Sequence, residues 1–381
     1  MSGQGHRTFV EALARFAAGA GDGRVTGIAE RAAAPLRVVV RGRRGVGRRT
    51  VASAVARAGI ASGILVTTQP SGTDKEKASD VVVYVTTEVL KPEDIDAIAA
   101  ARSPVLAVLN KADLAGSLSG RAGEGPIAAA RTRCAQLSAL AGVPMQPMIG
   151  LLADAALEDL DGFEVLNEEV WAAVRLLATH SSRAASRPAL FEGSVDGFLA
   201  QDSPNHPVPI GVRQRLLESL DLFGTALAVA AVRRGATAPQ VRALLRRVSG
   251  VDAVVDKVGA VGAEARYRRV LDAVAELEAL AVTKEGIGEQ IGEFLFRDET
   301  LVARMATAVD LAEASGLDVG DCNDPAAHLA RAARWQRYSR RPVSDLHRAC
   351  GADIARGSLR LWSQTCGALR EVPGESFREP W

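Results

Sequence analysis

The sequence is poor in aromatic residues (4%), in lysine and in cysteine. Its cysteines, Cys134, Cys322, Cys350 and Cys366, include no C-x-x-C pair, which argues against a disulfide framework and fits reduced thiols in a cytoplasmic compartment. Long apolar runs are missing too, since stretches such as Ala226 to Val232 fall far short of the ~20 residues of a membrane span. The opening residues, MSGQGHRTFVEALARF, carry no extended apolar stretch or cleavage site of a secretory signal. A net charge of +1 provides no global field toward nucleic acid or membrane, so an electrostatic partner needs a local patch. Lysine fills only 6 of the 46 basic positions, and arginine is the default cation.

What is present suffices for two domains: 381 residues, 48% of them hydrophobic. The stretch from Leu36 to Gly59, LRVVVRGRRGVGRRTVASAVARAG, organises the rest. It reads as an apolar strand, a glycine-rich turn with arginines, and an amphipathic helix. Backbone N–H groups in such a turn can point at an anion, and the helix N-terminus favours negative charge. Physically the alternatives are a phosphate cradle and a plain strand-to-helix turn.

The spacing of Gly42, Gly45 and Gly47 around Val46 resembles the phosphate loop of the translation-factor-related P-loop GTPases, G-x-x-x-x-G-K-[ST]. Arg48 stands where that family has its phosphate-binding lysine, and Arg49 where it has the magnesium-binding hydroxyl; Thr50 follows one residue late. Asn110-Lys111-Ala112-Asp113, after the apolar run Pro104 to Leu109, resembles the family's N-K-x-D, in which the Asp accepts from the guanine N1–H and N2–H2. Ile149 and Gly150 fall where the family presents a backbone N–H to the guanine O6. The resemblance implies nucleotide contacts at Gly42, Gly45, Val46, Gly47, Arg48, Arg49, Thr50, Asn110, Lys111, Asp113 and Gly150, with GTP or GDP as the ligand and magnesium in doubt. It covers roughly residues 36–180. Within it only a few residues separate the first helix from strand Gly63 to Thr67, too few for a switch I strand, and Thr67-Thr68-Gln69-Pro70-Ser71-Gly72 lacks the aspartate of D-x-x-G.

The expected architecture is a mostly parallel sheet with flanking helices, followed by an all-α bundle. In order, a helix over Thr8 to Ala17 belongs to a lead-in at 1–35, and the sheet domain takes 36–180. Its helices are expected at Thr50 to Ala58, with Gly59 closing it, and at Pro92 to Ala101, Ile127 to Ala141 and Leu157 to Thr179. Residues 181–210 read as a linker from their proline and serine density. Helices at Arg213 to Val232, Val241 to Val248 (capped by Thr237 and Gln240), Glu264 to Val282, Glu299 to Ala314, Asp324 to Tyr338 and Val343 to Leu369 then form the bundle over 211–370, before a tail at 371–381.

Two further groups bear on function. Cys322, His328, His347 and Cys350 are the residue types of a zinc site but match no zinc framework, so core or surface placement is the expectation. Arg331, Arg334, Arg337 and Arg341 share a helical stripe with Trp335 and Tyr338, and the window Arg331 to Arg360 carries eight arginines against Asp345 and Asp353. Such a face can hold phosphates or stack bases, or it can be a solvated, ion-paired surface. The reading overall is a guanine-nucleotide-binding pseudo-GTPase whose helical domain meets a protein partner. A slow GTPase completed by a partner, and a structural or nucleic-acid-binding protein, are the alternatives.

Overall fold

The computed structural model describes residues 3–67, 79–116, 125–157, 167–183, 198, 208–283, 286–320 and 324–370. In chain order the elements are α1 (Gln4–Ala20), α2 (Gly23–Ala33), β1 (Leu36–Gly42), α3 (Arg48–Gly59), β2 (Ile64–Thr67), β3 (Val81–Thr86), α4 (Pro92–Ala99) and β4 (Val105–Leu109). There follow α5 (Pro126–Ala141), β5 (Met145–Pro147), α6 (Gly150–Ala156), α7 (Glu168–Arg183), α8 (Ile210–Arg233), α9 (Ala238–Ser249) and α10 (Val251–Val261). The last are α11 (Ala263–Thr283), α12 (Gly288–Phe296), α13 (Asp298–Ala314), α14 (His328–Ser339) and α15 (Asp345–Arg370). No helix among the described residues is long and apolar enough to cross a membrane.

The strands form one all-parallel sheet in the order β2-β1-β3-β4-β5. Parallel sheets carry helices on both faces, so their strands read as continuous apolar runs; β3 and β4 are buried at every position. The chain runs one way from β1 to β2 and the other way from β3 to β5. The carboxyl ends of β1 and β3 therefore flank a topological switch point, where ligands bind in open sheets of this kind.

Two compact units divide the chain, one from Leu36–Val258, the other from the segments before and after it. This differs from the expected boundary at 181–210. Helices α8 and α9 join the sheet unit because Leu216, Leu220, Val229, Val241 and Leu245 share a buried cluster with Ile149 and Leu152 of the loop after β5 and α6. Fully burying each leucine contributes about 1.5–3 kcal/mol. Most of the expected linker, and the tail at 371–381, lie outside the described residues, although Phe198 and Val208 belong to that cluster.

In the other unit α1 and α2 pack on α11 and α12, with Phe16 stacked on Phe294 at 4.7 Å between centroids. Helix α2 was not expected. Asp22 starts it by accepting from the Arg24 N–H at 2.8 Å, and Val25, Ile28, Ala29 and Ala32 form its buried face. Gly59 does not close α3 either. A short 3-10 turn follows, and Gly63 takes the left-handed position at φ 63°.

Candidate functional site

The loop after β1 is shaped by its glycines. Gly42 has φ 144°, and a Cβ there would lie 2.4 Å from the Val85 carbonyl oxygen, so only glycine lets β1 end beside β3. Gly47, at φ 80°, caps α3, and a Cβ on it would come 2.3 Å from Asn110 Nδ2.

That close approach exists because Asn110 ties the loops together. The residue is 4% exposed; its Nδ2 donates to Val46 O at 2.8 Å and its Oδ1 accepts from the Gly150 N–H at 2.9 Å. Both ends of the amide are satisfied, as burial requires. Asn110 thus brings the loop after β1, the end of β4 and the start of α6 into one hydrogen-bonded knot. The Gly150 N–H, expected to face a guanine O6, is engaged by Asn110 instead. Thr50 lies on the same side, its methyl 3.5 Å from where a Gly150 Cβ would be.

A second tie had no sequence signal. Arg43 donates from Nε to both oxygens of Asp94, at 2.8 and 3.0 Å, and Asp94 also accepts from Tyr84 OH at 2.8 Å and the Lys91 N–H at 2.9 Å. Burial pushes the Asp94 carboxyl upward, but the Lys91 N–H, Arg43 and Tyr84 together outweigh it and hold it below its ordinary range. Tyr84 is pushed up, by burial first and then by Asp94. Only the adjacency of Pro92, Glu93 and Asp94 at a helix start could have pointed to it.

At the head of α3, Arg48 is half-buried and Arg49 exposed. Neither has a hydrogen bond or ion pair among the described residues, and the first turn of α3 holds no acidic residue. A helix N-terminus already carries about half a positive charge, so two guanidiniums there are mutually unfavourable until an anion balances them.

The two residues expected at a base differ in setting. Lys111 is exposed and left-handed at φ 57°, whereas Asp113 is only 7% exposed. Burial pushes the Asp113 carboxyl up, and the charge of Asp221 adds to that; a bond to its own backbone and Lys111 oppose it. Asp221 lies in α8 at φ 56° and ψ −178°, a break within the helix, where it accepts from the Leu222 N–H at 2.7 Å. The Ile149 N–H in turn donates to Ser249 O at 2.9 Å, which fastens the end of α9 to the loop after β5. Among the described residues the non-glycine positive φ angles belong to Glu88 and Lys111, which follow β3 and β4, and to Asp221 at the break in α8.

Other expectations fare differently. The D-x-x-G-like stretch after Thr67 lies outside the described residues, as does Cys322. His328 Nδ1 pairs with Arg331 Nη2 at 2.8 Å, His347 Nδ1 with Tyr338 OH at 2.9 Å, and Cys350 donates to Ala308 O at 3.2 Å. Burial pushes the Cys350 thiol up to about 12. Among the described residues no group of three His, Cys, Asp or Glu side chains converges.

The arginine stripe does not form an open stacking face. Trp335 is 2% exposed, edge-on to Tyr338 at 5.0 Å in the core, and Arg331 is buried against Ser358 at 2.9 Å. Arg334, Arg348, Arg356 and Arg360 are paired with Asp318, Asp345, Asp353 and Asp298. Internal carboxylates and the hydrophobic core engage five of the eight arginines, and Arg337, Arg340 and Arg341 stay exposed with no carboxylate partner among the described residues.

Compared with known proteins, the chain matches no family model, no curated protein and no solved structure.

Proposed function

We propose that this chain is a GTPase-like nucleotide-binding protein without efficient turnover, a regulatory module that takes a guanine nucleotide by its phosphates. The observation that carries the reading is the unpaired Arg48 and Arg49 on an acid-free first turn of α3, behind a glycine loop pinned at Arg43 and Val46. Arginine forks suit phosphate oxygens, and a loop fastened in advance loses little freedom on binding. The phosphate end of a nucleotide therefore fits the residues present.

Magnesium fits them less well. The family's metal-binding hydroxyl is replaced by Arg49, and the two guanidiniums supply positive charge that the ion would otherwise bring. Hydrolysis further needs groups that orient water and balance charge developing on the γ-phosphate. The short Ile60–Ser62 turn between α3 and β2 has no room for switch I.

Guanine selectivity rests on Asp113. Burial and the charge of Asp221 both disfavour its carboxylate, and the adjacent N–H donors of guanine relieve that cost. Occupancy is thereby felt at the break in α8, which sets the helical surface offered to a protein partner.

Calorimetric titration with GTP, GDP and ATP, with magnesium and with EDTA, tests this directly. GTP and GDP bind and ATP binds more weakly; EDTA changes little. Absence of nucleotide binding refutes the proposal. A hydrolysis rate well above that of buffer replaces it with the slow-enzyme reading.

A further inference from the structure

Beyond the glycine loop, a cleft of about 400 Å³ opens where α5 and β5 meet the junction of α9 and α10. Arg131 of α5 and Arg247 of α9 both line it, with Gln146 between apolar walls that include Ile127, Met148 and Val248. No Asp or Glu lines it. Neither arginine has a hydrogen bond or ion pair among the described residues, and both are exposed.

The neighbouring chain explains why they stay unpaired. Helix α5, PIAAARTRCAQLSALA, has no acidic residue to reach Arg131 at helical spacing. Asp252, in the first turn of α10, is taken by Arg246, whose Nη2 lies 2.8 Å from Asp252 Oδ1 and whose Nε is 3.1 Å from both oxygens. The result is two like charges at one concave, partly apolar cleft, with no counter-charge of the protein's own among its lining. Such pockets, apolar with a few convergent polar groups, are the usual form of a small-molecule site.

We propose that this cleft binds a small organic oxyanion, its carboxylate or phosphate head gripped by Arg131 and Arg247 and its apolar body laid on Ile127, Met148 and Val248. Head and body are both needed. Guanidinium forks supply charge-assisted hydrogen bonds, and the apolar walls add contact that a bare ion cannot use. None of the glycine-loop residues lines it, and its floor reaches Ala112 and Ile149, next to Asp113 and Gly150.

The test uses the full chain carrying Arg48→Gln and Arg49→Gln, so that the cradle does not contribute. Phenyl phosphate and benzoate are titrated by calorimetry against inorganic phosphate and phenol. Saturable binding is expected for the first two and markedly weaker binding for the others, which present head or body alone. Relative strength of phenyl phosphate and benzoate distinguishes a phosphate from a carboxylate ligand. Adding Arg131→Gln and Arg247→Gln lowers the affinity by about tenfold or more with an unchanged melting midpoint, because both side chains are solvent-exposed. Arg247→Lys alone, which keeps charge and loses the fork, gives a smaller loss and serves if the double variant does not fold. No saturable binding of either compound, or binding indifferent to both arginines, overturns the proposal.

Discussion

The guanidinium of Arg43 holds both carboxylate oxygens of Asp94, so the loop after β1 is fastened to the first turn of α4 by charge within the protein. Removing the carboxylate also strands Tyr84 OH and the Lys91 N–H. Asp94→Ala is expected to cost about 3 kcal/mol in urea unfolding. Because the folded carboxyl lies below its ordinary range, the contribution is present above about pH 4 and fades as pH falls through the folded value. Wild type and variant should therefore converge in stability in acid. A gap that stays constant down to pH 2 would show that packing, not charge, holds Asp94.

The cradle's glycines can be told apart by one methyl group. Gly45 and Gly47 are both left-handed, at φ 86° and 80°, but nothing lies within 4 Å of a Cβ on Gly45, whereas Asn110 blocks one on Gly47. Gly45→Ala should cost only the backbone penalty, about 1–2 kcal/mol. Gly47→Ala adds the displacement of Asn110 and the loss of its bonds to Val46 and Gly150. Faster amide exchange at Gly150 in the second variant and not the first is the expected signature. Equal stability and equal exchange in both would remove Asn110 from its place as the tie.

Much of this arrangement was legible in residue order. Glycine spacing placed the turn, and the apolar run Pro104 to Leu109 placed β4, because those signals act over a few residues. Helix α2 does carry a local signal, the N-cap Asp22 ahead of Val25, Ile28 and Ala29. The Arg43–Asp94 tie and the electrostatic coupling of Asp113 to Asp221 span 51 and 108 positions, and no local pattern announces an interaction of that range. The assignment of α8 and α9 to the sheet unit was hidden for the same reason. Their helical period says that one face is buried and nothing about what buries it.

Asp113 is held in an unfavourable state. Its folded carboxyl lies above its ordinary range, so it adds stability below about pH 4 and costs stability as pH rises through the folded value. Asp113→Asn is therefore expected to stabilise the protein at pH 7 by about 1 kcal/mol, the trade typical of functional positions, while weakening guanine selectivity. The stability gain should vanish in acid. A variant that is less stable at pH 7 and binds GTP as before would assign Asp113 a structural role.

His6 supplies a pH test in the other unit. Its Nε2 lies 3.1 Å from the Ala32 carbonyl, and burial, reinforced by Arg266 and Arg269, lowers its pKa to about 4. The folded value is below the unfolded 6.5, so protons favour the unfolded chain: stability is full above about pH 6.5 and declines toward pH 4. The loss can reach about 3 kcal/mol. His6→Gln, which keeps an N–H for Ala32 O, should flatten this decline in denaturant titrations. An unchanged pH profile would trace the decline to other groups.

The last expectation concerns turnover. Arg48→Lys with Arg49→Ser restores the phosphate-loop residues of the GTPases that this stretch resembles, and should make nucleotide binding tighter with magnesium than without it. Hydrolysis should nevertheless stay near the rate in buffer. A repaired cradle acts on the bound ground state, whereas rate depends on groups that hold the attacking water and the charge forming at the γ-phosphate. The segment between α3 and β2, the Ile60–Ser62 turn and Gly63, has no length from which to supply a water-orienting loop. Binding and chemistry thus separate in one variant, read by calorimetry and by single-turnover phosphate release. A large rise in release on repair would place a water-orienting residue elsewhere in the chain and make the native protein a slow enzyme whose cradle alone was limiting.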